Sequence, residues 1–263
     1  MKNSAVLFDV TKCVGCGSCT VACKLWNGLS FEEGNAHGYD VELNENNWTV
    51  VGYHSLEDKD GKKLRFLKQQ CMHCLEPSCV AVCFAKAIRV AESGAVVYDA
   101  KKCVGCRYCM IGCPYDVPKY EWDKVFPSVM KCRLCADKLE RNESPACVST
   151  CPSGALTFGD RDELLQKAKT TIAGDKKYIN YVYGEKEGGG TRWLYISDVP
   201  FEELGLPVNI TKRSIPSMVH DYTKWKPGVF AGAAAVFGAL GLYTHRRLKV
   251  EAAQREEEDS ADV

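Results

Sequence analysis

This 263-residue chain lacks several common sources of catalytic chemistry. It has no G-x-G-x-x-G run of the kind that cradles a dinucleotide phosphate, and no motif of an activated nucleophile. Its charge has no bias: 34 Lys and Arg balance 34 Asp and Glu, for a formal net charge of zero. The basic excess of a nucleic-acid binder is therefore missing, and no nucleic-acid partner is expected. The N-terminal apolar run, Ala5 to Phe8, is too short for the core of a secretory signal. If the chain works outside the cytoplasm, something else must carry it there.

What the sequence has in quantity is cysteine, sixteen in all, in four sets. The third is the clearest: Cys103, Cys106, Cys109 and Cys113, followed by Pro114, in C-x2-C-x2-C-x3-C-P spacing. A cubane four-iron cluster needs one thiolate per iron. Three cysteines spaced two apart wrap one cube, and the fourth reaches the other cluster of a two-cluster unit. The first set is Cys13, Cys16, Cys19 and Cys23; the second, with a wider middle gap, is Cys71, Cys74, Cys79 and Cys83. The fourth is Cys132, Cys135, Cys147 and Cys151, with Pro152 next. Together they use every cysteine. No ligand position is taken by Trp, Ser or Asp, so nothing points to a three-iron cluster, and four [4Fe–4S] clusters are expected.

Two rival uses of cysteine fit less well. Tight C-x2-C pairs are strained as disulfides. Structural zinc sites use two separated pairs or Cys/His mixtures, whereas the first and third sets are triplets plus a fourth. A zinc-stapled structural membrane protein is the remote alternative.

In chain order, Ala5 to Phe8 reads as a strand leading through Asp9 to Cys13. Ala95 to Tyr98 leads in the same way through Asp99 to Cys103. Both continue Val-Gly-Cys, a repeat about 90 residues apart that points to a duplicated ferredoxin-type unit. Gly15 and Gly105 fit a loop that aims backbone N–H groups at sulfur. Residues 24–70 form an insertion, with strands at Trp48 to His54 and Lys63 to Lys68 joined by a turn near Asp58-Lys59-Asp60-Gly61. It is either a decorative hairpin or a docking surface.

Ala87 to Val90 and Ala95 to Tyr98 form a hairpin between the second and third sets, which therefore pair as a bacterial-type ferredoxin fold. In that fold the fourth cysteines cross over; spacing alone leaves this open. The expected ligand sets are Cys71, Cys74, Cys79 and Cys113; Cys103, Cys106, Cys109 and Cys83; Cys13, Cys16, Cys19 and Cys151; and Cys132, Cys135, Cys147 and Cys23. His73 is redundant as a ligand. Lys12, Lys102, Lys131, Arg107 and Arg133 flank the ligands, where positive charge raises a cluster's potential unless it is merely solvated. Ala155 to Phe158, Tyr178 to Tyr183 and Thr191 to Ile196 read as strands, Asp162 to Lys169 as a short helix, and Phe201 to Met218 as an irregular arm.

Pro227 to Tyr243 carries no charge. Counted from Trp225 the stretch is about 19 residues, roughly 28 Å as a helix against a hydrocarbon core of about 30 Å. A single transmembrane helix is expected, with Trp225 and Tyr243 at the interfaces. Gly228, Gly232, Gly238 and Gly241 leave a surface suited to packing against another helix. The basic run from His245 to Lys249 favours a cytoplasmic tail, which puts the cluster domain on the outer face. It would cross the membrane folded, carried by a partner with a twin-arginine signal. The cytoplasmic face stays open as the alternative. Glu251 to Val263 reads as an acidic, disordered tail.

The four sets in order, the apolar C-terminal segment, and the stretch Gly184, Glu185 and Gly188-Gly189-Gly190-Thr191 are similar to the electron-transfer subunits of membrane-bound oxidoreductases. They resemble the iron–sulfur subunit of respiratory formate dehydrogenase and the hydrogenase-2 ferredoxin-like subunit. The resemblance implies a relay of single electrons between a catalytic molybdenum or tungsten bis-pterin subunit and a quinone-reactive, cytochrome b-type membrane subunit. The alternatives are the equivalent subunit of a nickel–iron hydrogenase or of another bis-pterin reductase. The expected architecture is α+β: duplicated ferredoxin-like units over 1–165 with the insertion 24–70, an extension and arm over 166–220, the membrane helix over 221–244 in contact with lipid, and a charged tail over 245–263.

Overall fold

The computed structural model describes residues 3–31, 35–58 and 61–261. They divide into two compact units, 1–216 and 217–263.

The first unit is built around strand β1 (Ser4–Asp9), every residue of which is buried. Side chains alternate across a strand, so β1 serves two cores at once. Val6 and Phe8 face one core with Trp193 and Tyr195. Ala5 and Leu7 face another with Leu194 and Ile196. Strand β10 (Trp193–Ile196) lies parallel to β1, with Val6 opposite Trp193. Strand β9 (Leu156–Asp160) lies antiparallel on the other side, with Val6 opposite Phe158. The second core is closed by helix α6 (Arg161–Gly174). Its Leu164 and Ala168, one turn apart, are buried against the sheet. Asp160 caps the helix by accepting the N–H of Asp162 at 2.9 Å. The first core faces the cysteines.

Strands β3 (Thr49–Asp58) and β4 (Gly61–Gln70) pair antiparallel, with the two-residue strand β2 (His37–Gly38) parallel to β3. The expected turn at Lys59 and Asp60 lies outside the described residues. At its base this ribbon is core: Val50, Val51 and Leu67 are buried. Arg65 on β4 grips the Asp198 carboxylate through Nε at 2.9 Å and Nη2 at 2.5 Å, and Lys63 adds a third contact at 2.6 Å. The ribbon is thereby pinned to the turn after β10.

Short elements fill the rest. Strands β5 (Ile88–Val90) and β6 (Val96–Tyr98) form an antiparallel pair, as do β7 (Lys119–Tyr120) and β8 (Val129–Met130). Helices α1 (Ser18–Asn27), α2 (Ser78–Ala81), α3 (Tyr108–Ile111), α4 (Ala136–Glu140) and α5 (Ala146–Ser149) follow or carry cysteines.

Two sequence readings change. Tyr178 to Tyr183 is not a strand; only Tyr183 makes a bridge, to Tyr195. Its aromatic side chains pack as separate plugs: Tyr178 and Val182 enter the α6 core, and Tyr183 the other. The arm from Phe201 is not wholly irregular, because helix α7 (Ile215–Thr223) begins within it. Phe201, Leu204 and Leu206 anchor it in the first core.

In the second unit, helix α8 runs from Lys226 to Ala261. The helical segment Ile215–Gln254 contains a window of mean hydropathy 1.4, none of it buried, and is the one stretch among the described residues long and apolar enough to cross a membrane. The tail expected to be disordered is helical through Ala261. Its alanines, glutamates and glutamine are strong helix formers, and Arg247 pairs with Glu251 one turn on at 2.7 Å.

Candidate metal centres

Each of the four cysteine sets begins C-x-x-C, and in each the residue before the second cysteine has a left-handed backbone. These are Gly15 (φ 68°), His73 (φ 46°), Gly105 (φ 70°) and Leu134 (φ 54°). The conformation turns the loop so that its backbone N–H groups face inward. Gly105 N–H donates to Cys103 Sγ at 3.4 Å and Leu134 N–H to Cys132 Sγ at 3.4 Å. The duplicated lead-in is also built alike. Asp9 Oδ1 accepts the N–H of Thr11 at 3.0 Å, Asp99 Oδ1 accepts that of Lys101 at 3.1 Å, and a 3-10 turn (Val10–Lys12, Ala100–Lys102) follows each.

The loops converge in pairs. Cys13, Cys16 and Cys19 line a hollow together with Cys151, from the far end of the cysteine region. Phe8, Val51 and Leu156 wall it. Cys23 sits one turn beyond Cys19 on α1. Its electrostatic neighbours include Cys147, Cys135 and Cys19, and those of Cys132 include Cys23, Cys71 and Cys147. Helix α1 therefore carries Cys19 at the first hollow and Cys23 near Cys147 and Cys135.

The inner sets repeat this. Cys103, Cys106 and Cys109 line a second hollow with Cys83. Cys74 has Cys71, Cys113 and Cys79 as its nearest thiols, and Cys113 also faces Cys71. Among the described residues, no three His, Cys, Asp or Glu side chains close on one point as ligands of a single ion would. In the two hollows the sulfurs stand around a volume, as a multi-iron cube requires.

Electrostatics separate these thiols from ordinary ones. Burial pushes the Cys19, Cys23 and Cys79 thiols up to about 12. It pushes Cys109, Cys113 and Cys135 up to about 11. A buried thiolate without a cation is unfavourable, so these sulfurs become ligands only when bound metal supplies the positive charge. Cys16 is the exception: hydrogen bonding to Ser18, whose Oγ is 3.3 Å from the sulfur, lowers its pKa.

Sequence reasoning missed three supports. The first is the Gly-Gly-Gly-Thr stretch, which braces the second cysteine loop. Leu75 N–H donates to Gly190 O at 3.0 Å, Arg192 N–H to Met72 O at 3.1 Å, and Cys74 bridges Thr191. The second is the ribbon, which is neither decoration nor merely a surface. Tyr53 OH donates to Gly15 O at 2.8 Å, and the Phe66 ring lies against the same glycine. The third is Lys68, fully enclosed near the first hollow. A lysine three residues before Cys71 reads as solvated, and strand alternation could have placed it inward only if the pairing had been known. Lys131, read as a flanking residue, is buried too, its Nζ donating to Val96 O at 2.5 Å and Cys132 O at 3.0 Å. Lys12 and Lys102 remain exposed.

Comparison with known proteins follows the same lines. Residues 62–161 match a family model described as a 4Fe-4S dicluster domain, and residues 12–87 match a second model of that description. The hydrogenase-2 operon protein HybA of Escherichia coli O157:H7 is 38% identical over 240 residues, spanning 77% of this chain and 72% of that protein. The formate dehydrogenase-O iron-sulfur subunit of Escherichia coli K12 is 36% identical over 271 residues, spanning 97% and 89%. The nitrate-inducible formate dehydrogenase iron-sulfur subunit of the same organism is 36% identical over 254 residues, spanning 92% and 83%.

Proposed function

The chain belongs to the family of multi-cluster [4Fe–4S] subunits that includes the formate dehydrogenase iron-sulfur subunits and HybA, and from this we propose that it is a four-cluster electron relay anchored in a membrane. The observation that supports the reading most is that cysteine loops share hollows with a distant cysteine, Cys13, Cys16 and Cys19 with Cys151 and Cys103, Cys106 and Cys109 with Cys83. The proposed ligand sets are Cys13, Cys16, Cys19 and Cys151; Cys132, Cys135, Cys147 and Cys23; Cys71, Cys74, Cys79 and Cys113; and Cys103, Cys106, Cys109 and Cys83. When bound, each cluster takes up and gives back one electron. The chain's own task is to hold the thiolates, aim N–H donors such as those of Gly105 and Leu134 at sulfur, and keep the sites dry behind Phe8, Leu156 and Tyr195.

The proposed partners are a catalytic subunit of the molybdenum or tungsten bis-pterin type and an integral membrane subunit that passes electrons to or from quinone. Similarity over 97% of the chain to a formate dehydrogenase subunit favours a formate-oxidising partner. Identity of 38% to HybA supports the hydrogenase counterpart as the second reading. Helix α8 is proposed as the anchor, with the basic residues from His245 to Lys249 on the cytoplasmic side and the cluster unit outside.

The test is iron and sulfide content with reduced-state EPR on protein purified anaerobically with whatever copurifies. About sixteen irons and sixteen sulfides per chain are expected, with interacting S = 1/2 signals. Zinc without sulfide would overturn the reading.

A further inference from the structure

Lys68 has a side chain 2% exposed and no carboxylate partner among the described residues. Its Nζ donates to Thr49 Oγ1 at 2.5 Å and to Gln70 Oε1 at 2.7 Å, and lies 4.5 Å from the centre of the Trp193 ring. All three partners are neutral. Removing an ammonium from water costs several kcal/mol unless an opposite charge compensates it. Lys63 and Arg65, on the same strand, have Asp198 for that purpose. Lys68 has only sulfur.

The sulfurs that face it are mostly those of two sets, although it also acts on His73, between Cys71 and Cys74. The electrostatic neighbours of Lys68 are Cys147, Cys19, Cys132 and Cys23, and it acts in turn on Cys13 and Cys135. It also lines the hollow of Cys13, Cys16, Cys19 and Cys151. All these cysteines belong to the two outer ligand sets.

We propose that Lys68 is the shared counter-cation of the two outer clusters, raising the reduction potential of both more than that of the inner pair. The physical reason is that a fixed positive charge stabilises the reduced, more negative form of each outer site more than the oxidised form. The ribbon is then an electrostatic part of the relay, because β4 delivers this charge between two sites that its own chain segment does not ligate. The inference rests on the four-cluster reading.

The experiment compares the unsubstituted protein with Lys68→Gln and Lys68→Arg. Each is purified anaerobically with its copurifying subunits, assayed for iron and sulfide, and titrated potentiometrically by EPR. The expected result for Lys68→Gln is full iron, a fall in the midpoints of the two signals that Cys16→Ser and Cys135→Ser perturb, and a smaller movement of the other two. Lys68→Arg is expected to keep the original midpoints. Unchanged midpoints in Lys68→Gln, an equal shift of all four, or an equal fall in Lys68→Arg would overturn the proposal. Should Lys68→Gln fail to load the outer sites, Lys68→Arg decides: full loading at original midpoints supports the charge, and the same loss shows a packing role and overturns it. Fewer than four clusters in the unsubstituted protein would sink the premise, and the proposal with it.

Discussion

His73 Nδ1 accepts the backbone N–H of Val96 at 2.9 Å, tying the second cysteine loop to strand β6. The imidazole is wholly buried, and its place beside two cysteines is structural. Replacing His73 with Ala strands a buried N–H, at a cost of about 1–3 kcal/mol. His73→Gly relieves the left-handed backbone but also removes the acceptor, and it is expected to lose nearly as much. The measurement is the midpoint of anaerobic thermal bleaching of the visible iron–sulfur absorption. Recovery to the unsubstituted midpoint in His73→Gly would show that backbone strain, not the hydrogen bond, sets the cost.

The proposed crossed pairing makes an unequal prediction for two neighbouring cysteines. Cys113 lies four residues after Cys109 but shares its surroundings with Cys71 and Cys74. Cys113→Ser should therefore perturb the signal of the cluster on Cys71, Cys74 and Cys79. Cys83→Ser should perturb that of the cluster on Cys103, Cys106 and Cys109. EPR of the two variants reads this directly. The reverse assignment would mean that each loop closes on its own fourth cysteine.

Why the ligands were legible in sequence and their setting was not is clear from these residues. Cysteine spacing reports local wrapping of a loop, so Cys103, Cys106 and Cys109 could be read as one group at sight. What Cys151 meets depends on β9 pairing antiparallel with β1, a contact between residues about 150 apart that no local pattern encodes. The parallel pairing of β10 with β1 is more remote still. It is what brings Trp193 under Lys68 and turns a lysine that reads as solvated into a buried charge. The aromatic run from Tyr178 misread as a strand fails for a related reason: its side chains are divided between two cores, so β propensity described their burial rather than their backbone.

Gly15 is held by geometry on two counts. Its φ is 68°, and a Cβ there would lie 2.4 Å from the Phe66 ring. Gly15→Ala combines about 1 kcal/mol or more of left-handed strain with a clash against a ring packed edge-on to Tyr53. The expected result is lower iron occupancy of the first site and earlier bleaching. Gly15→Ala together with Phe66→Leu should recover part of the loss. No recovery would assign the whole effect to backbone strain.

Asp198 gives a test with a defined pH sign. Burial would raise its carboxyl pKa, but hydrogen bonds from Arg65 and Lys63 outweigh this and hold it down to about 2, from 3.8. A depressed folded value means that the stabilisation is fully present above about 4 and is lost only as pH falls towards 2. Over the range in which acid-labile sulfide survives, the contribution should be constant. Asp198→Asn is expected to cost about 1–2 kcal/mol after allowance for solvent screening. The lowering of its bleaching midpoint should be the same at pH 6 and pH 8. A difference that shrinks between those values would require another group to carry the effect.

Truncation separates the anchor from the relay. All sixteen cysteines lie before residue 152, within the unit that ends at Pro216. Helix α8 presents Phe230, Phe237 and Leu242, each more than two-thirds exposed, and each contributes roughly 1.5–3 kcal/mol when it leaves water. A chain ended after Tyr222 loses that whole apolar surface and none of the ligands. It is expected to appear in the soluble fraction with full iron and sulfide and the EPR midpoints of the complete chain. The complete chain is expected to stay with membranes through a high-salt wash, because screening weakens charge contacts and leaves hydrophobic insertion intact. Release of the complete chain by salt alone would show that the helix rests on a protein partner's charged surface, and the anchor would have to be reassigned to that partner.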